Sequence, residues 1–251
     1  MALKARHMKE LQDFQNQMHE EIKERAQALG FDLSETEPIY DGVCDLEGYS
    51  KSKPKIMFIL KEAWDEIGEG GPKGGGWEIY EPWESMDRMN DTWKILMYIV
   101  YGVRTGEDYN SMPWANEEML DMLKTVAYVN LNKMPAYKNS GDMSEKYAQW
   151  RDILLKQIEG YNPNVIVFGN TFEGLFEQEE WAQNAEWIEK ASNPGVTAVY
   201  KTKNGKILID AYHPKQRKRG LTRDKYIDTI VYGVRTGLAS SQNDRNCNNR
   251  Y

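Results

Sequence analysis

Four short apolar runs constrain what this chain can fold into. They are Lys55-Ile56-Met57-Phe58-Ile59-Leu60, Thr125-Val126-Ala127-Tyr128-Val129-Asn130, Asn164-Val165-Ile166-Val167-Phe168-Gly169 and Lys206-Ile207-Leu208-Ile209-Asp210. Each is too short for a helix and lacks polar alternation. A strand covered on both faces reads this way, because neither side meets water. Helical spacing occupies the stretches around them. Met8, Leu11, Phe14 (or Gln15), Met18, Ile22 and Ala26 predict a helix over 8–29, with Gly30 as its stop. Helices are also predicted over 82–101, 116–124, 144–160 and 222–234, with another opening after Gly169-Asn170.

Strands alternating with helices predict a single α/β domain. Its centre would be a mainly parallel four-stranded sheet flanked by helices. Residues 1–53 read as an N-terminal helix and lead-in packed on that domain, 54–239 as the domain itself, and 240–251 as a polar, frayed tail. The octapeptide IVYGVRTG occurs at 99–106 and again at 230–237. Its flanks do not match, so the duplication does not imply a repeat architecture. Both copies read as helix ends sharing a glycine cap.

The 32 Lys+Arg against 39 Asp+Glu give a net charge of −7, which excludes polyanion binding by the whole surface but leaves room for a local basic patch. The cysteines Cys44 and Cys247 supply neither a disulfide scaffold nor a four-cysteine metal or cluster site, so the chain reads as reduced and cytoplasmic. No apolar run approaches a membrane span, and the N-terminal stretch lacks the apolar core of a secretory signal. No membrane partner and no cofactor are expected, and the chain reads as a monomer.

In parallel sheets ligands bind beyond the carboxyl ends of the strands. The polar residues directly after each run are therefore the candidates: Glu62 and Asp65, Asn130 and Asn132, Gly169 and Asn170, and His213. A carboxylate can orient or deprotonate water. An amide offers a donor and an acceptor side by side, which suits a nucleobase edge. An imidazole can stabilise charge on a leaving group. His213-Pro214 is followed at once by Lys215, Arg217, Lys218 and Arg219, with Arg223 and Lys225 further on. Cations there suit phosphates. No phosphate-binding glycine motif comes after a strand.

At these residues the chain resembles the uracil-DNA glycosylase superfamily. KIMFILKEAWDE is similar to the first motif of its iron–sulfur branch, a strand running into Gly-Glu-Ala-Pro-Gly. VAYVNLNKMPA, NPNVIVFGN and ILIDAYHPKQR resemble three further motifs in the same order, spread over about 54–225. The resemblance implies a monofunctional DNA glycosylase that flips a base out of the duplex. It gives Glu62, with Asp65 as an alternative, the activation of water. It gives Asn130 the reading of a pyrimidine edge and His213 the stabilisation of the departing base. A stacking aromatic is implied after the first motif, with Trp77 nearest in spacing and Trp64 and Tyr80 as competitors. Lys215, Arg217, Lys218, Arg219 and Arg223 would hold the DNA backbone, and Leu221 is the wedge candidate.

The chain departs from the family where Lys61, Trp64 and Asp65 replace small motif residues and where Lys215 replaces Ser. The cluster cysteines are absent. Three functions stay open: excision of a uracil-like base, excision of a hypermodified cytosine from phage DNA as defence, and silent sensing of damaged DNA. Asp65 also reads as a helix N-cap, Trp77 as loop packing, Asn132 as structural, and Lys61 as either a pocket cation or a lysine lying along a strand end.

Overall fold

The computed structural model describes residues 2–63, 78, 83–136, 141–216 and 220–248, with the side chains of 2–7, 216 and 241–248 left aside. In chain order the elements are α1 (Ala2–Ala28), β1 (Gly42–Val43), α2 (Leu46–Lys51), β2 (Ile56–Leu60), α3 (Asp91–Thr105), α4 (Glu117–Lys124), β3 (Ala127–Asn130), α5 (Met143–Tyr161), β4 (Val165–Gly169), α6 (Glu180–Gln183), β5 (Glu186–Trp187), β6 (Thr197–Lys201), β7 (Ile207–Ala211) and α7 (Arg223–Asn248).

The four apolar runs are β2, β3, β4 and β7, and they pair in parallel. The sheet, however, has seven strands rather than four, in the order β1-β3-β2-β4-β7-β6-β5. The three additional strands lie outside the parallel core and pair antiparallel. They escape a search for apolar runs for a physical reason. β1 and β5 have two residues each, and β6 alternates buried and half-buried positions because one of its faces is partly open.

Strand alternation sorts the core into two layers. Ile56, Phe58, Leu60, Tyr128, Val165, Val167, Ile207, Ile209 and Ala211 face α3, α4 and α7. Met57, Ile59, Ala127, Val129, Ile166, Phe168 and Leu208 face α1, α2 and α5. Residues two apart on a strand share a layer, and neighbours do not.

The helices obey their capping chemistry. At the end of α1, Gly30 at φ 85° sends its N–H to the Gln27 carbonyl, and the Phe31 N–H reaches the Ala26 carbonyl. That pair of bonds is a Schellman stop, as Gly30 implied. The helix expected over 82–101 begins only at Asp91, because the Asn90 side chain caps the Trp93 N–H at 3.1 Å. No long helix follows β4 directly. Asn170 takes a left-handed φ of 61°, and Phe172, Leu175 and Phe176 bury as turns leading to the four-residue α6. The final helix continues through the expected tail to Asn248. The first copy of the octapeptide does end a helix, with Gly106 at φ 85°. The second lies inside α7, so the shared-cap reading holds for one copy only.

Glycine is required at position 42, where φ is 149° and a Cβ would sit 2.5 Å from the Tyr161 hydroxyl and 2.6 Å from Gln15 Oε1. At Gly30 the backbone is equally left-handed, but nothing lies within 4 Å. Gly42→Ala should therefore lower stability by about 2–4 kcal/mol and Gly30→Ala by only about 1 kcal/mol, read as midpoints of urea unfolding.

Candidate functional site

Among the parallel strands β2 comes first in the chain yet lies between β3 and β4. The chain leaves β2 toward one side and later passes to the other. The crevice created where those connections diverge lies beyond the carboxyl ends of β2 and β4.

Pairing continues past the strands and fixes what protrudes there. Leu131 N–H donates to the Leu60 carbonyl at 2.8 Å, Asn132 N–H to Lys61 at 2.8 Å, and Ala136 N–H to Ala63 at 2.9 Å. On the other side the Asn170 N–H donates to the Ala211 carbonyl at 2.7 Å. Glu62, Asn130 and His213 each stand two residues beyond a member of the α3–α7 layer, namely Leu60, Tyr128 and Ala211. All three thus lie at one end of the sheet, and Asn130, the last residue of β3, shares the layer of Tyr128.

Asn130 is fully buried, and neither its Oδ1 nor its Nδ2 has a hydrogen-bond partner among the described residues. Leaving a buried amide unpaired costs about 1–3 kcal/mol per group, so its place demands an explanation. Its own backbone is held firmly: Asp41 Oδ2 accepts the Asn130 N–H at 2.6 Å. Asp41 is itself fully buried and accepts from Lys133 Nζ at 2.8 and 3.0 Å and from Gln157 Nε2 at 2.8 Å. Lys133 completes the network by donating to Gln157 Oε1 at 2.8 Å. Every charge in this network is paired, as burial requires.

Glu62 is 6% exposed at the end of β2. His213 is partly buried, and its turn is tied down from two directions. The Tyr226 hydroxyl of α7 donates to the Tyr212 carbonyl, and Pro214 packs over Gly169, where a Cβ would collide with Leu60. Burial, then the neighbouring Lys61 and Lys215 ammoniums, push the imidazole down to about 4. At neutral pH it is uncharged. Nδ1 accepts the Lys215 N–H at 3.2 Å, which leaves the proton on Nε2 as a donor.

The remaining predicted residues divide. Asp65, Trp64, Trp77 and Tyr80 lie outside the described residues, as do Arg217, Lys218 and Arg219. Lys215 is exposed beside His213. Arg223 is engaged within the molecule, paired at 3.0 Å with Asp91 at the start of α3. Leu221 packs against the α3–α7 core. Asn132 is structural: its Oδ1 accepts from Trp150 Nε1 at 3.1 Å and from the Met134 N–H.

Asp41, Gln157 and Trp83 escaped the reading of the sequence. Trp83 is fully buried and stacks edge-on against Trp93 and Tyr128, with ring centroids at 5.4 and 6.1 Å. Its Nε1 has no hydrogen-bond partner among the described residues. Trp83 is thus an aromatic wall in the layer that carries Asn130. The signal for the network was Lys133 itself, a lysine three residues past a buried strand and directly before Met134-Pro135, which has to find a carboxylate when buried.

A cavity of about 520 Å³ opens at the same carboxyl edge, toward β7 and β6, lined by Lys61, Asn170, Glu173, Trp187, Thr197 and Asp210 among others. Asn130, Glu62 and His213 do not line it. Its lining draws on both layers, with Asp210 facing one and Ala211 the other. Asp210 is pushed up to about 6 by burial, with Glu173 and Glu177 adding to the effect.

The class these features define is a mixed α/β domain with a crevice at the carboxyl edge of its seven-stranded sheet. No family profile matches the chain, and no curated protein matches it. Among the described residues no group of three or more His, Cys, Asp and Glu is placed to hold a metal ion, and no helix is long and apolar enough to cross a membrane.

Two outcomes test the electrostatics. Lys133→Met strands Asp41 as an uncompensated buried charge and should cost about 3–5 kcal/mol of unfolding free energy. Asp210 binds its proton more tightly folded than unfolded, so stability falls as pH rises from about 4 through about 6. Asp210→Asn removes that loss. Denaturant titrations should show the variant more stable above pH 6, on the order of 1–3 kcal/mol, and the two chains converging below pH 4.

Proposed function

We propose that the chain is a DNA glycosylase that hydrolyses the N-glycosidic bond of a flipped pyrimidine and leaves an abasic site. The observation that carries this reading is the Asn130 amide, buried with both hydrogen-bonding faces unsatisfied at the carboxyl end of β3. A side chain held so has the complement of a pyrimidine edge, one donor beside one acceptor. The four motif-like segments that resemble uracil-DNA glycosylases supply β2, β3, β4 and β7, the parallel core of the sheet.

In this reading the base enters the crevice and Asn130 reads its edge. The bond between the sugar C1′ and the base nitrogen breaks, and its electron pair leaves with the base. The neutral His213 donates a hydrogen bond from Nε2 to the base oxygen on which that charge settles. A neutral donor suits the step, since an imidazolium that surrendered its proton early would need recharging for each turnover. Glu62 orients a water, whose oxygen bonds to C1′ while its proton passes to the carboxylate and then to the departed base. Lys215 and the basic residues after it would contact phosphates. The acidity elsewhere would restrict DNA to that face.

Base release is the test. The protein is incubated with DNAs containing uracil, hypoxanthine, a thymine mismatch, or hydroxymethylated or glucosylated cytosine, and abasic sites are revealed with alkali. Release of one base is expected, with His213→Ala slowing it about 10²–10³-fold at little cost in DNA affinity. The base released decides between repair of a uracil-like lesion and excision of a modified cytosine, for which Lys61, Trp64 and Asp65 in place of small residues of the first motif are the argument. DNA binding without abasic sites would overturn the hydrolytic reading and leave a sensor of damaged DNA.

A further inference from the structure

Lys61 is a nucleophilic side chain at the carboxyl edge of the sheet to which hydrolysis of a glycosidic bond assigns no task. Its backbone is fixed. It follows β2 directly, its carbonyl accepts the Asn132 N–H at 2.8 Å, and its neighbours Leu60 and Glu62 are buried. Lys61 itself is half-buried and lines the cavity of about 520 Å³. The same lining includes Asn170, which follows β4, and Ala211 and Tyr212 at the end of β7, so the cavity reaches the turn that carries His213. The Lys61 ammonium is near enough to His213 to help depress its imidazole.

Ion pairing does not explain this lysine. Asp210 and Glu173 line the same cavity, yet Lys61 makes no ion pair or side-chain hydrogen bond among the described residues. The causes that act on Asp210 are burial, Glu173 and Glu177, and Lys61 is not among them. Contact with DNA phosphates suits the rim, where Lys215 is exposed, better than a half-buried cavity wall. A lysine amine held in a cavity without a carboxylate partner is suited to another task, attack on a carbonyl carbon to form a Schiff base. The proposed hydrolysis makes such a carbon at this edge, because an abasic deoxyribose opens to an aldehyde at C1′.

We propose that Lys61 gives the site a second activity, cleavage of the DNA strand at an abasic sugar through a Schiff base. The inference rests on the reading that this edge receives a flipped nucleotide. The Lys61 amine bonds to C1′ of the opened sugar, and the C1′ oxygen leaves as water, giving an imine. Glu62, the next residue, accepts the proton of C2′. The electron pair left behind forms the C2′–C3′ double bond, and the 3′ phosphate departs with its bonding pair. Water then hydrolyses the imine, which restores the amine and frees an unsaturated aldehyde on the 5′ fragment. The sequence consumes no oxidant or reductant.

The test uses the full-length protein and a 5′-labelled duplex with one preformed abasic site, so base release plays no part in it. With sodium borohydride present the imine is reduced, and a covalent protein–DNA band should appear on a denaturing gel. Without borohydride the strand should break 3′ to the abasic site before any alkali is added. Lys61→Arg keeps the positive charge but has no primary amine. It should bind the duplex as the parent does in a gel shift and lose both products, with circular dichroism verifying its fold. Lys55→Gln, directly before β2 at the opposite end of the sheet, should trap as the parent does. Binding of the abasic duplex with no trapped band would overturn the proposal and leave the glycosylase reading standing. An undiminished band from Lys61→Arg would overturn it as well. Lys61-dependent trapping by a protein that releases no base would support it and overturn the hydrolytic reading instead.

Discussion

The buried ion pair between Asp41 and Lys133 is the interaction on which the rest of this structure depends. Both side chains are fully excluded from solvent, and 92 residues separate them in the chain. Each ion loses its hydration on burial, a cost that only near-complete pairing offsets. Here Gln157 of α5 closes the ring, and the backbone carbonyl of Asp41 meets His19 of α1 at 3.0 Å. One network thus joins the N-terminal helix, the lead-in to β1, the end of β3 and α5. Its remaining acceptor position is spent on the Asn130 N–H. The amide whose side chain is left unsatisfied therefore stands on a fully satisfied base. Rigid support beneath an unpaired polar group is the arrangement a recognition site needs, because the geometry exists before any ligand arrives.

The parity of the strands explains how one edge of one sheet presents two different surfaces. Residues at the ends of β2, β3 and β7 alternate between layers. Asn130 follows Tyr128 to the side of α3 and α7, and Asp210 follows Leu208 to the other, while beyond β7 the alternation lapses and Tyr212 packs on the same core as Ala211. Lys61 borders both: it lines the acidic cavity, and its ammonium helps to depress His213.

Much of this was legible in the sequence, for identifiable reasons. The four parallel strands announce themselves because burial on both faces leaves no polar position to confuse the pattern. Strand-end logic then points to Glu62, Asn130 and His213 without knowledge of the sheet order. β1, β5 and β6 leave no such pattern, and the sheet is wider than four runs imply. The Asp41–Lys133 pair is invisible to any local reading, since the partners meet only through the fold. The two copies of IVYGVRTG make the same point sharply. Arg104 of the first donates to the carbonyls of Met122 and Thr125 and to the Ser52 hydroxyl. Arg235 of the second donates to the carbonyl of Gly106, the terminal residue of the first copy. Eight identical residues end one helix and continue another, because their flanking residues and packing neighbours differ.

The margin of the sheet carries one more consequence. Val43 in β1 turns its N–H and carbonyl outward, and both are taken by the Gln15 amide of α1, at 2.8 and 3.1 Å. A side-chain amide has the same donor and acceptor as a peptide group, so Gln15 imitates the next strand and ends the series. At the far margin β5 is two residues long and begins with an exposed glutamate. Neither margin offers a template on which another chain could extend the sheet, so a β-rich core this apolar is shielded from self-templated growth while it remains folded.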